Sequence, residues 1–287
     1  MSTILDGLSL GAIYALIALG YTMVYGIAKM LNFAHGDIIM VGAYLIFVTL
    51  SVTGNLVLAI LLSVLLCAVT GVVGEKLAYK PLRTASPLAV LITAIGVSYF
   101  LQGTAQLIFG SKSQPITLPS LGSINIGNFQ VEWRTVVTLV VGGLLMIGLT
   151  IFVKKTRIGR AMLAVSEDKG AAQLMGVNVN RIIMITFAIG SSLAACASLF
   201  YLMQIPSVSP TLGAMPGIKA FAAAVIGGIG SIPGAMLGGV LLGLVEKICT
   251  SIPLLSPYTT AIEFSLLIVI LLVKPIGLLG VRRREKV

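Results

Sequence analysis

Residues 55–78 read NLVLAILLSVLLCAVTGVVGEKLA, and no acidic or basic side chain interrupts this stretch before Glu75. A helix of roughly 20 predominantly apolar residues is long enough to cross the hydrocarbon core of a bilayer. Similar stretches recur along the chain, and 57% of its 287 residues are hydrophobic. Only 10% of the residues are charged, which is too few to cover the surface of a soluble globular protein. The sequence therefore predicts an all-α fold, a polytopic integral membrane helical bundle.

Nine apolar segments are candidates for membrane helices, and they fill a single domain, 1–287, without a linker or an internal repeat. Three of them, 37–53, 214–229 and 233–250, are short or rich in glycine, as half-helices and re-entrant helices are. We therefore expect eight or nine membrane segments. The N-terminal residues belong to the first segment, because no basic region precedes their apolar part. The candidates are 3–27, 37–53, 55–78, 87–109, 134–153, 182–204, 214–229, 233–250 and 258–280.

The basic residues lie at the ends of the apolar segments, so the net charge of +10 does not indicate a nucleic-acid partner. Cytoplasmic loops of membrane proteins carry the excess of Lys and Arg. The loops 79–86 and 154–181 and the tail 281–287 are basic, which predicts that they are cytoplasmic, whereas 110–133 is predicted to be external. Counting back from 79–86 places the N-terminus outside, provided that 37–53 crosses completely. Cys67, Cys196 and Cys249 lie inside apolar segments and indicate neither a disulfide nor a metal site.

Residues 164–181, AVSEDKGAAQLMGVNVNR, form an unusually polar stretch within the longest basic loop. The pattern predicts a short helix with Ser166 as its cap, Glu167 and Asp168 in its first turn and Gly176 at its end. Ala171, Leu174 and Met175 would share one small apolar face of this helix. Such a face fits either a surface helix inside a loop or a docking surface for a cytoplasmic partner.

Three motifs in the same order resemble those of one family. The segment EDKGAAQLMGVN (167–178) is similar to the cytoplasmic coupling segment of ABC-importer permeases, in the version found in branched-chain amino-acid permeases. Residues 7–37, ending in LNFAHGD, resemble the start of the LivH-type permease, and residues 219–239 resemble its glycine-rich segment. The resemblance covers nearly the whole chain, although the loop 110–133 is shorter than is common in the family.

The resemblance implies a permease subunit of an ATP-driven importer in the bacterial inner membrane, moving solute by alternating access. Its partners would be a homologous second permease, two cytoplasmic ATPase subunits, a soluble substrate-binding protein and membrane lipid. The chain has no G-x-x-x-x-G-K-[ST] phosphate loop, so we expect no cofactor on it and ATP on the partner subunits. The residues expected to contact the ATPase are Glu167, Asp168, Ala171, Ala172, Leu174 and Gly176.

The segment LNFAHGD carries Asn32, His35, Gly36 and Asp37, which the resemblance marks as a signature turn. A His and an Asp two residues apart would suit proton transfer or catalysis. The favoured interpretation is structural: Gly36 breaks the chain, Asp37 caps the following helix, and Asn32 and His35 satisfy backbone groups.

Glycines recur at intervals of four in the segment 227–243, among them Gly230, Gly234 and Gly238. Small residues at this spacing allow a neighbouring helix to pack closely. Pro233 interrupts the segment, which predicts two short helices that meet at a turn. Both static packing and the sliding contacts of a carrier fit the pattern.

Ionisable residues at membrane depth are functional candidates. Here they are Lys219, Glu246, Lys247 and Glu263, which the predicted topology places in the outer half of their segments. They would form an ion-paired gate or extend to the interface. Ser98 and Gln102 lie one helical turn apart and are candidates for the solute pathway.

Composition and motifs leave two classes of function open. One is the permease of an ABC importer for branched-chain or related amino acids, with urea, amides or other amino acids as alternative solutes. The other is a secondary carrier driven by an ion gradient. An enzyme is not expected, because adjacent segments hold no paired carboxylates, no Ser–His pair and no metal-ligand cluster.

Overall fold

The computed structural model describes residues 2–119, 122–126 and 129–280, so the basic tail 281–287 lies outside the described residues. The described part of the chain is a helical bundle. Its helices are α1 Ser2–Ala28, α2 His35–Thr53, α3 Leu56–Gly74, α4 Pro87–Phe109, α5 Trp133–Lys155, α6 Arg157–Glu167, α7 Lys169–Leu174, α8 Val179–Gln204, α9 Ala214–Gly227, α10 Ile232–Ser251 and α11 Thr259–Val273. A π-helical turn, Glu75–Tyr79, and two 3₁₀ turns, Lys80–Leu82 and Ser256–Tyr258, extend α3 and precede α11.

Eight helices of the described chain are long and apolar enough to cross a membrane, and α9 is a shorter apolar helix. This confirms the expected eight or nine membrane segments. Two of the three segments predicted to be short are full-length helices: α2 has 19 residues and α10 has 20. Pro233 lies in the first turn of α10, where no hydrogen bond needs its missing N–H, and therefore starts the helix without shortening it. The last helix ends at Val273, before Pro275, and not at residue 280.

Two small sheets depart from the all-α expectation. Strands β1 Gln114–Pro115 and β4 Ser207–Val208 pair antiparallel and join the connection after α4 to the connection after α8. Strands β2 Ser123–Ile126 and β3 Phe129–Glu132 form an antiparallel hairpin immediately before α5. All four strands lie in loops between helices.

Helix α1 occupies the centre of the bundle, since every residue from Ala12 to Leu19 is at most 3% exposed. It packs most extensively on α10, where glycines of both helices meet. A Cβ on Gly11 would lie only 2.7 Å from Cα of Val240, and a Cβ on Gly239 or Gly243 would overlap the backbone of α1. The two helix backbones therefore approach as closely as small residues permit.

The glycines singled out in the sequence fall into different roles. A Cβ on Gly234 or Gly238 would overlap the backbone of α9, so both lie in the close contact between α9 and α10. Gly230 is not part of this helical strip. It lies in the turn between the two helices with φ +97, a conformation that favours glycine.

Contacts between helix ends define the two ends of the bundle. Nζ of Lys169 donates to the carbonyl of Ala28 at 2.9 Å, which places the end of α1 beside α7. Leu279 N donates to Gly227 O at 2.9 Å, so the end of the described chain lies at the α9–α10 turn. We call the end of the bundle where these contacts lie the basic end, because the loops 79–86 and 154–181 lie there. The start of α1 lies at the opposite end, where Asp6 accepts a hydrogen bond from Thr135 at the start of α5.

Candidate functional site

Two short helices, α6 and α7, form the polar stretch at the basic end. The prediction of a single helix capped by Ser166 is wrong, because the hydroxyl of Ser166 lies in the last turn of α6 and donates to Leu163 O at 2.8 Å. Glu167 ends α6, and Asp168 is the extended residue between the helices. The carboxylate of Asp168 caps α7 by accepting from the amides of Gly170 at 2.8 Å and Ala171 at 3.0 Å. A carboxylate suits the positive end of a helix, and Asp168 therefore divides the stretch in two.

Gly176 ends the second helix in the predicted left-handed conformation, with φ +82. Its amide donates to Gln173 O and the amide of Val177 donates to Ala172 O, both at 3.0 Å. These bonds satisfy carbonyls that the end of α7 would leave without partners. The chain then turns sharply into α8.

Part of the surface that α7 turns away from the bundle is apolar. Leu174 is 91% exposed and Met175 84% exposed, and Ala171 lies beside them, also exposed. We call these three residues the α7 face. Ala172, predicted to contact the ATPase, is buried at 4% exposure and anchors α7 to the bundle. Glu167 and Gly176 lie at the exposed edges of the segment.

The side chain of Lys169 connects α7 to the central helix. Lys169 donates to the last carbonyl of α1, where a cation also complements the negative end of the helix. Partial burial, together with the nearby Arg83 guanidinium, lowers the pKa of Lys169 from its ordinary value. Arg83 forms an ion pair with Glu75 and a hydrogen bond with Asn180, so the 79–86 loop joins the same assembly. Sequence spacing did not indicate the contact of Lys169, which joins residues 141 positions apart.

Within the membrane helices, Lys219 of α9 lies between two carboxylates. Its Nζ is 2.7 Å from Glu246 of α10 and 3.1 Å from Glu263 of α11. The hydroxyl of Tyr14 donates to Glu246 at 2.6 Å. Lys219 is 8% exposed and Glu263 is 1% exposed, so these two side chains do not extend to the interface. Lys247 forms none of the described ion pairs; the gate role of the other three stays a prediction.

The signature turn brings α2 against α3 and α9. Oδ1 of Asn32 accepts from the Tyr79 hydroxyl at 2.5 Å. The buried ring of His35 packs edge-on against Tyr21, with 4.8 Å between ring centroids. A Cβ on Gly36 would lie 2.6 Å from Gly213 O, so this glycine permits the contact between the starts of α2 and α9.

Asp37 does not cap α2, which corrects the prediction. The helix already begins at His35, and Asp37 lies in its first turn with the carboxylate directed toward α4. Its Oδ1 accepts from Nε2 of Gln102 at 2.8 Å, and Gln102 lies 3.3 Å from the Ser98 hydroxyl. The structure therefore unites a residue of the signature turn with both pathway candidates.

These three polar residues line a cavity of about 280 Å³ between α2, α4 and the start of α9. One wall is polar and the other is apolar or glycine. The lining consists of Tyr21, Phe33, Gly36, Asp37, Ile95, Ser98, Tyr99, Gln102, Gly213, Ala214, Gly217 and Ile218.

Comparison with known proteins adds independent information. The family model described as "Branched-chain amino acid transport system / permease component" matches residues 3–272. The high-affinity branched-chain amino acid transport system permease protein BraD of Pseudomonas aeruginosa is 42% identical over an alignment of 301 positions that covers 100% of this chain and 98% of BraD. LivH of Escherichia coli K12, a permease protein of the same description, is 43% identical over an alignment of 298 positions that covers 98% of this chain and 96% of LivH.

More distant similarity extends to other organisms. A probable branched-chain amino acid transport permease protein LivH of Methanocaldococcus jannaschii is 29% identical over 93% of this chain and 88% of its own length. Among solved structures, a chain of PsaBC from Streptococcus pneumoniae in complex with Fab is 15% identical, with a TM-score of 0.49 over 94% of this chain and 91% of that one. The family match and the full-length identity to BraD and LivH agree with the eight membrane-length helices. The chain is a multi-pass membrane protein that belongs to the family of permease components of branched-chain amino acid transport systems.

Proposed function

We propose that this permease imports branched-chain or related amino acids by alternating access, driven by two separate cytoplasmic ATPase subunits. It works beside a second, homologous permease in the bacterial inner membrane and receives its solute from a soluble binding protein. The observation that carries the proposal is the α7 face. Leu174 and Met175 lie outside the membrane helices with more than four-fifths of their surface exposed. An apolar helix face with a polar rim is suited to a partner's groove.

The α7 face is connected to the transmembrane helices in a way that fits coupling. Asp168 fixes the start of α7, and Lys169 binds its first turn to the end of α1. When the ATPase subunits close and displace α7, α1 is displaced with it. Helix α1 lies against α10 along closely packed glycines, a contact that permits small sliding movements. ATP hydrolysis on the partners thereby changes which side of the membrane the solute path faces.

The test exchanges an exposed apolar side chain of the α7 face for a charge. Leu174→Asp is expected to abolish co-purification with the ATPase subunits and ATP-dependent leucine uptake in proteoliposomes, because a charge cannot be buried unpaired in an apolar groove. Glu167→Lys and Gly176→Trp are expected to have the same effect, while expression and membrane insertion stay normal.

Leu163→Asp is the matched control, since Leu163 is an apolar residue of α6, 44% exposed, outside the α7 face. This variant is expected to retain ATPase binding and uptake. Normal uptake by Leu174→Asp, or uptake by this chain without any ATPase subunit, would instead identify an ion-driven carrier. Neighbouring genes for a binding protein, a second permease and two ATPases would support the importer.

A further inference from the structure

The cavity around Asp37 lies among the membrane helices, away from the α7 face. Cys67, in the middle of the apolar segment that begins at Leu56, donates to the carbonyl of Ile38, next to Asp37. The signature turn and the two pathway candidates therefore meet at membrane depth. A volume of about 280 Å³ is slightly below the range of about 300–1,000 Å³ that drug-sized ligands occupy. A small solute of about the size of one amino acid fits such a space.

Asp37 is a carboxylate that the described residues leave without a cation. It is only 2% exposed, and its bond to Gln102 comes from a neutral amide. The described ion pairs join Arg83 to Glu75, Arg134 to Glu132 and Lys219 to two glutamates, and none reaches Asp37. A buried carboxylate usually has a cationic partner, because desolvation without one is expensive. A solute that brings its own cation would satisfy it.

Exposed side chains of α4 and α9 lie next to the cavity. Tyr99 is 70% exposed, and Ile95 and Ile218 are more than 40% exposed at the edge of the cavity. Acidic side chains inside membrane helices face a bundle interior or a water-filled space, since hydrocarbon does not solvate charge. In the proposed transporter, this side of α4 and α9 faces the solute path, and the second permease covers it.

The negatively charged carboxylate of an amino acid would also find favourable surroundings in this cavity. Helices α2 and α9 both begin beside it, and neither has a side-chain cap at its N-terminus. The positive ends of interrupted membrane helices favour the carboxylate of a solute. Phe33, Ile95 and Ile218 supply an apolar wall for a hydrocarbon side chain.

We propose that this cavity is the membrane-embedded binding site for the transported amino acid, with Asp37 binding the ammonium group. Gln102 holds the carboxylate of Asp37 toward the cavity, and the start of α9 lies nearest the solute carboxylate. The inference rests on the proposed function for the identity of the solute. It adds a recognition step inside the membrane to the selectivity of the binding protein.

The first experiment removes the charge of Asp37 at constant size. Asp37→Asn in the complete transporter, reconstituted with its binding protein, is expected to reduce leucine uptake roughly 10- to 150-fold, the range for one hydrogen bond to a charged group. Co-purification with the ATPase subunits is expected to stay normal. The matched control is Asp6→Asn. Asp6 lies at the start of α1, opposite the basic end of the bundle. This variant is expected to transport as the unmodified protein does. Wild-type uptake by Asp37→Asn would overturn the proposal.

The second experiment needs neither uptake nor ATP hydrolysis. Ser98→Cys in the complete transporter is labelled with a small neutral methanethiosulfonate, and labelling of the unmodified chain is subtracted for its native cysteines. Leucine at millimolar concentration on both sides of the membrane is expected to slow labelling, and to lose this effect when Asp37→Asn is added. Equal labelling with and without leucine would overturn the proposal even if Asp37→Asn alone failed to assemble. Protection by leucine in a chain that needs no ATPase would support this site while refuting ATP coupling.

Discussion

At the residue scale, the buried cluster of Lys219, Glu246 and Glu263 shows how three helices are joined by charge. The amine of Lys219 on α9 lies between two carboxylates, one from α10 and one from α11, and Tyr14 of α1 donates to Glu246. Removing one member of a buried ion pair leaves its partner unsatisfied, which costs about 3–5 kcal/mol. The charges therefore depend on one another for their stability.

Lys219→Met is expected to lower the melting temperature of the purified permease strongly, because two carboxylates lose their cation. Lys219→Met combined with Glu263→Gln is expected to melt at a higher temperature than the single variant. The double variant retains only Glu246, which keeps the Tyr14 hydrogen bond. Thermal unfolding in detergent, followed by size-exclusion chromatography, compares the two. Equal melting temperatures would show that the cluster does not stabilise the fold through its ion pairs.

Sequence patterns predicted single residues unevenly. Ser98 and Gln102 lie one helical turn apart, which makes them pathway candidates, and both line the Asp37 cavity. The role of Asp37 as a cap was wrong, because α2 begins two residues earlier and Gln102 engages the carboxylate from 65 positions away. A local pattern contains no information about such a contact.

At the scale of elements, α6 and α7 show how one residue divides a stretch that its pattern predicts as a single helix. Asp168 is extended, with φ −149, and its carboxylate caps the six residues of α7. A helix of this length is unstable alone. Its order depends on the cap, on the buried Ala172 and on the bond from Lys169 to α1.

Asp168→Ala is expected to destabilise α7 by about 1 kcal/mol, the usual effect of losing an N-cap. Asp168→Asn keeps a side-chain oxygen for the amides of Gly170 and Ala171 and is expected to preserve the helix. Hydrogen exchange of residues 170–175 measures the difference, which we expect to be faster exchange in the alanine variant alone. ATP-dependent uptake should decrease in parallel. Identical exchange in both variants would show that the cap does not order α7.

The boundaries of the apolar helices were largely predictable, because about 20 apolar residues are required to cross a bilayer. The errors occurred where length and glycine content suggested half-helices. Helix α10 is full length although it is rich in glycine, since its glycines face α1 and α9 and allow close packing on both sides. Glycine content indicated close helix contacts here, and not a break in the helix.

At the scale of the whole molecule, the arrangement of helix ends links the coupling segment to the solute path. Helix α1 joins them: its last carbonyl binds Lys169 of α7, and its Tyr21 lines the Asp37 cavity. Basic residues predicted which loops share one end, and the contacts of the described residues place 79–86 and 154–181 together as predicted. No pattern predicted that α1 would be the central helix, because its composition resembles that of the lipid-exposed helices.

The packing of helix ends also predicts the side on which the N-terminus lies. The start of α1 meets the start of α5 at the opposite end from the basic loops, so an odd number of crossings separates it from residues 154–181. Cytoplasmic placement of the basic end then puts the N-terminus outside. Ile4→Cys and Lys112→Cys are both expected to react in intact cells with a membrane-impermeant maleimide. Lys154→Cys is expected to react only after the cells are permeabilised. Suppose that Ile4→Cys reacts only after permeabilisation, as Lys154→Cys does, while Lys112→Cys reacts in intact cells. One helix counted as a crossing would then not span the membrane.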